Sequence, residues 1–232
     1  MSDYLETNYY NDEYGENDYP QRLCDHIIGN YFKIHFSDVT KLSLLDIGSG
    51  KGNHLLGFSR RGMKVTGLDK RDECLDVLND INILECDLET EKIPFSDSSF
   101  DIVHSKSSIE HVNNTENFIN ESYRVLKKDG LALIMVPDWG SQHKTFYDDY
   151  THVKPWTRKG LQNALKMHGF NNVKCKYFRQ LPILWRHPWL SIFCSIISIL
   201  PESFKWRDRQ ETLHRKLVRF SKEKMLLATG IK

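Results

Sequence analysis

The residues with the strongest claim to chemistry lie in Leu42–Gly52, reading LSLLDIGSGKG. A short apolar run ends in a turn with glycines at 48, 50 and 52, and an amphipathic stretch with Leu55, Leu56 and Phe58 follows. Strand, tight turn and helix in that order form the first unit of a doubly wound α/β fold. Glycines let the backbone turn sharply and let a ligand approach the peptide plane. The spacing is G-x-G-x-G, not the G-x-G-x-x-G that seats a pyrophosphate on a helix N-terminus. Asp46, two residues before Gly48, would repel a pyrophosphate and suit a ligand that carries an ammonium group. Lys51 has neither the preceding four-residue gap nor the following Ser or Thr of a Walker loop.

Further acids fall where more strands should end. Lys64–Asp69, KVTGLD, reads as a second strand, and Asp69 lies about 20 residues past the glycines, where a carboxylate can accept both hydroxyls of a ribose. Ile81–Cys86 reads as a third strand that runs into Asp87 and Leu88. A carboxylate there can accept from an exocyclic amine, and an apolar side chain can cover a ring.

DIGSGKG, VTGLD, ECDLE, FDIVHSKSSIEHV and YRVLKKDGLALIMVP, in this order, resemble the class I S-adenosylmethionine-dependent methyltransferases, in particular the small-molecule, type 11-like group. The resemblance runs from about Leu42 to about Phe178. It implies a Rossmann-like seven-stranded sheet with helices on both faces, the last strand antiparallel, and S-adenosylmethionine at the carboxyl ends of the strands. On this resemblance the cofactor site comprises Asp46, Gly48, Ser49, Gly50 and Gly52, then Asp69 and Lys70, then Cys86, Asp87 and Leu88, and finally Ser105 and Lys106. Asp87 would meet the adenine amino group. With the fourth strand at Phe100–Val103, residues 104–106 would stand at the mouth of the site.

A hydroxyl acceptor usually needs a base near the methyl group. His111 in SIEHV and His152 in DYTHVKPWT are the catalytic candidates, ahead of His143, Asp138 and Asp149. A histidine in isolation is more often structural, and an N or C acceptor needs little acid–base help. No metal is expected, because the His and Asp residues of the loop lack a helical ligand spacing.

Positioning these residues is the task of one domain with elaborations, given 232 residues. The expected divisions are an N-terminal lid or helix segment (1–40), the cofactor-binding core (41–180), a helical apolar and basic insertion (181–222) and the final strand (223–232). Residues 1–18 carry several tyrosines and no Lys or Arg, and read equally as a disordered leader or a lid. A helix from Pro20 buries Leu23, Ile27 and Ile28. Another helix spans Arg71–Asn79. A capping box is expected at Ser107–Glu110, and a helix at Glu116–Lys128, stopped by Gly130. Leu131–Val136 reads as a strand buried on both faces. Five scattered cysteines and no secretory signal point to reduced thiols in a cytoplasm.

A formal net charge of +1 gives no case for nucleic acid. The expected partner is a small-molecule or lipid-linked acceptor, of saccharide or isoprenoid type, methylated at O, N or C. Residues 185–220 combine tryptophans, a run too short to span a bilayer, and basic residues. They read as a cover on the core or a twin subunit, or as a peripheral membrane contact. Oligomeric state is not legible. Two other functions fit the fold: a non-catalytic binding module, and a nicotinamide-dependent oxidoreductase, against which the glycine spacing and Asp46 argue.

Overall fold

The computed structural model describes residues 19–70, 81–200 and 213–232. The tyrosine-rich segment and the helix expected at 71–79 lie outside the described residues. Seven strands form one sheet in the order β3-β2-β1-β4-β5-β7-β6. They are β1 (Ser43–Ile47), β2 (Lys64–Asp69), β3 (Asn82–Glu85), β4 (Phe100–Lys106), β5 (Leu126–Pro137), β6 (Asn171–Phe178) and β7 (Met225–Ile231). β1 to β5 pair in parallel, and β7 lies antiparallel between β5 and β6. The order reverses at β1, and the crevice beside that strand is where such sheets take ligands. The doubly wound sheet with its antiparallel last strand is the expected architecture.

Two apolar layers explain why the central strands read as continuous runs. One face buries Leu45, Val103, Ala132 and Ile134 with Phe118 and Leu161 from α3 (Thr115–Val125) and α4 (Arg158–Met167). The other buries Leu44, Ile102, Leu133 and Met135 with α1 (Tyr19–Ile27) and α2 (Asn53–Ser59), through Leu23, Ile27, Leu55 and Phe58. Asn114 caps α3 by accepting from Asn117 N, and Thr157 caps α4 by accepting from Gly160 N.

Three local expectations are corrected. α3 ends at Val125, and Lys127 and Lys128 belong to β5. Lys127 Nζ pairs with Asp101 at 2.9 Å, Asp129 has a φ of 61°, and the β4–β5 register shifts between Phe100 and Ile102. That bulge absorbs the residues the helical reading had claimed. β4 runs on to Lys106, so His104 and Ser105 are fully buried and not at the mouth. The capping box does not form: Ser107 has a φ of 55°, and Ser108 precedes a 3-10 turn, Ile109–His111, without a side-chain bond.

The insertion is helical, with α5 (Pro182–Arg186), α6 (Ser191–Ile197) and α7 (Leu213–Lys222). A small core of Leu181, Leu184 and Cys194 packs against Trp185, Leu190 and Phe220. Among the described residues no helix is long and apolar enough to cross a membrane.

Candidate active site

The turn after β1 is built by left-handed backbone. Gly48, Gly50 and Gly52 have φ of 74°, 51° and 75°. A Cβ on Gly48 would fall 2.3 Å from Ser108 Oγ, whereas one on Gly50 would meet nothing within 4 Å. Gly48 is thus closed by protein, and Gly50 opens onto space that a ligand can occupy. Asp69, at the end of β2, accepts a 2.8 Å bond from Gly50 N through Oδ2, which fixes its carboxylate against that opening. Ser49 Oγ is buried beside it with no hydrogen-bond partner among the described residues. An open cradle, a fixed acid and an orphaned hydroxyl suit a nucleoside ligand with hydroxyls to offer.

Beyond β3, Asp87 is bonded by Lys70 Nζ at 2.8 Å and by Glu89 N at 3.0 Å. Burial raises its carboxyl, these bonds outweigh it, and the net displacement is downward, so Asp87 stays ionised. Leu88 is buried in the core, and the Cys86 thiol, buried, is pushed up to about 11. Lys70, Cys86, Asp87 and Leu88 therefore cluster where β2 and β3 end.

Asp46 lies deeper. It is buried, with Oδ1 2.7 Å from Nδ1 of the fully buried His104 on the adjacent strand. The register pairs the two positions directly. Ser105 Oγ donates to Ile47 O at 2.8 Å and ties β4 to β1. Burial lowers the Lys106 ammonium, countered by Glu110 and Asp46.

His111 and His152 come together. Their rings are 4.7 Å apart, one after β4 and the other in the loop after β5. His111 Nδ1 lies 2.9 Å from Thr151 Oγ1 and 3.2 Å from Thr151 O, and the Thr151 hydroxyl donates to Asp149 Oδ1 at 2.6 Å. The carbonyl only accepts, so Nδ1 carries the proton. His152 Nδ1 lies 2.6 Å from Phe146 O and carries its proton for the same reason. In both rings Nε2 is then the basic atom. His143 stacks on Trp139, and Asp138 caps the one-turn helix Trp139–Gln142 by accepting from Ser141 N.

Glu110 was missed in the sequence. It is fully buried, and neither carboxylate oxygen has a hydrogen-bond partner among the described residues. Its carbonyl accepts from Val153 N at 2.9 Å and Lys154 N at 3.0 Å, anchoring the loop that carries His152. Burial pushes its carboxyl up to about 8, against the pull of Lys106. The one available signal was its adjacency to His111. Glu110, His111 and His152 each offer an atom within 4.8 Å of the others, a spacing that also admits a divalent cation.

Residues 45–134 match the family described as "Methyltransferase domain". The ubiquinone biosynthesis O-methyltransferase of Rickettsia typhi is 30% identical over 108 residues, covering 44% of each chain. The 2-methyl-6-phytyl-1,4-hydroquinone methyltransferase 1 of Oryza sativa subsp. japonica is 34% identical over 147 residues, 58% of this chain and 43% of that one. The chain thus aligns with less than half the length of these curated relatives. An S-adenosylmethionine-dependent methyltransferase from Archaeoglobus fulgidus has the same fold, with a TM-score of 0.63 at 18% identity over 91% of this chain and 94% of that one. Glycine turn, acids at the strand ends and sheet order agree with these matches: residues 45–134 carry a methyltransferase domain, on the fold of the S-adenosylmethionine-dependent methyltransferases.

Proposed function

We propose that the protein methylates a hydroxyl of a small, lipid-linked acceptor. The observation that carries this reading is the His111–His152 pair, two rings 4.7 Å apart, each held through Nδ1, with His152 Nε2 3.9 Å from Asp149 Oδ2. An N or C acceptor has little use for such a pair; a hydroxyl does. One of the curated relatives above is named as an O-methyltransferase of ubiquinone biosynthesis and the other for a phytyl-bearing hydroquinone, which supports the hydroxyl and lipid-linked choices.

S-adenosylmethionine supplies an electrophilic methyl on a sulfonium when bound. Asp69, Gly50 and Ser49 would hold it, with Asp87 and Lys70 toward its base. His111 or His152 would take the acceptor hydroxyl's proton on Nε2 as that oxygen accepts the methyl. Asp149, through Thr151, keeps the His111 ring in the tautomer that can accept. The imidazolium then releases the proton to solvent. The main-chain carbonyl of Glu110 fixes the loop that carries His152.

Calorimetric titration with S-adenosylhomocysteine, followed by radiolabelled methyl transfer into lipid and aqueous extracts, tests this. Binding, with label in the lipid fraction that survives a base treatment that hydrolyses a methyl ester control, is the expected result. Label confined to the aqueous fraction overturns the lipid-linked reading. Binding of NADH in place of the adenosyl ligand overturns the whole assignment.

A further inference from the structure

Among the described residues the insertion leaves one helix face exposed. α6 presents Ile192, Phe193 and Ile196 at 66%, 54% and 60% exposure, with Trp189 at 62% in the turn before it and Ile199 in the turn after. These positions recur at helical spacing, so the side chains share one side of the element. The opposite side is spent: Cys194 is buried against Leu181 and Leu184. The face is held rigidly. Arg179 donates to Ser221 O at 3.1 Å and to Ser195 Oγ at 3.3 Å, and Trp185 Nε1 donates to Arg179 O at 3.0 Å.

Charge identifies the occupant. Residues 181–222 contain eight Lys and Arg against three Asp and Glu, and 179–200 contain no acid. Arg186 and His187, just before Trp189, and Lys216 on α7 are exposed. A groove of about 530 Å³ opens along α1 and α5, lined by Arg22, Asp25, His26, Trp185, Arg186 and His187. Asp25 there is neutralised by Arg61 at 2.7 Å. A second copy of this chain would bring cation against cation. An anionic bilayer offers apolar depth to α6 and negative headgroups to the flanking cations.

β6 and β7 start and end the insertion at the active-site edge of the sheet. Phe178, where the insertion begins, pairs with Met225, and Met225 pairs with Pro137 at the carboxyl end of β5. That is the sheet edge that carries the glycine turn and the histidines.

We propose that α6 and its flanking cations form a docking surface for an anionic membrane, seating the protein with its active-site edge toward the bilayer. The purpose of this docking rests on the lipid-linked acceptor proposed above, but the docking itself is read without cofactor or acceptor. Its failure and that of the methyl-transfer reading are therefore separable.

The test is flotation of the full chain with vesicles of phosphatidylcholine alone and of phosphatidylcholine mixed with phosphatidylglycerol, at low and high salt. Wild-type protein is expected to float with the mixed vesicles, less at high salt. Ile192→Asp with Phe193→Asp is expected to lower the partition at least about tenfold. The double variant should keep the thermal unfolding midpoint of the wild type, because both side chains are exposed. Met167→Asp, at another exposed apolar position on α4, should float like wild type. Wild-type protein that stays with the unbound fraction, or a double variant that floats equally, overturns the proposal. So does binding indifferent to phosphatidylglycerol. A dimer in analytical ultracentrifugation that the double variant disperses would assign the face to a second copy.

Discussion

His111 and His152 stand with their rings 4.7 Å apart, brought together because the carbonyl of Glu110 accepts the amides of Val153 and Lys154. The residue beside one histidine thus anchors the loop of the other. Each ring is also held through Nδ1, by Thr151 and by Phe146 O, and this leaves Nε2 as the base in both.

If these rings accept the acceptor's proton, replacing either one should slow turnover and spare cofactor binding. His152→Ala and His111→Ala are expected to lower kcat about 10²–10⁴-fold with the S-adenosylhomocysteine affinity unchanged. Steady-state methyl transfer beside calorimetry reads both quantities. Full turnover in both variants would remove general base catalysis from the mechanism.

Asp69 has two duties, holding Gly50 N and facing the open cradle. Asp69→Ala should weaken S-adenosylhomocysteine binding by about 1–3 kcal/mol, through lost charge-assisted bonds. Asp69→Asn keeps an oxygen for Gly50 and should lose less. Equal losses in the two variants would show that charge alone matters, and no loss in either would move the cofactor elsewhere.

Gly48 tests the packing of the turn. Alanine there would put its Cβ 2.3 Å from Ser108 Oγ at a φ of 74°. Gly48→Ala should cost about 1–3 kcal/mol in denaturant unfolding. Ser108→Gly should recover part of this by removing the clash while the φ cost stays. Gly50→Ala, with open space, should be milder for stability and harsher for ligand binding.

Acid should loosen the α3 end of the sheet. Glu121 accepts from Arg124 at 2.6 Å and from Ile93 N at 2.8 Å, and the Arg124 bond leads in holding its carboxyl below the ordinary value of 4.5. Its contribution is therefore present above the unfolded value and is lost as pH falls through the lower folded one. Glu121→Gln should flatten the acid limb of a stability–pH profile. It should also lower stability near neutral pH, because it breaks a buried charged pair. An unchanged acid limb would place the pH sensitivity on other carboxylates.

Chelation distinguishes the proton role of Glu110, His111 and His152 from a metal role. Exhaustive treatment with a chelator is expected to leave methyl transfer intact. Activity lost on chelation and restored by a divalent cation would turn the three side chains into ligands.

The sequence alone determined the sheet and which residues gather at the strand ends beside the glycine turn. Those features are local: glycines every second residue, acids at the ends of apolar runs, and alternating strand and helix periods. Asp69 and Gly50 are close because strand ends in a parallel sheet align along one edge. The sequence misplaced the end of α3, because Lys127 and Lys128 look like C-terminal helix residues until Asp101 on a neighbouring strand claims Lys127. Glu110 looked like part of a cap for the same reason. Only the tertiary structure decided that it is buried, that it anchors the loop after β5, and that two distant histidines share one site. Burial and long-range hydrogen bonding depend on which segments the chain brings together, and no spacing along the sequence encodes that.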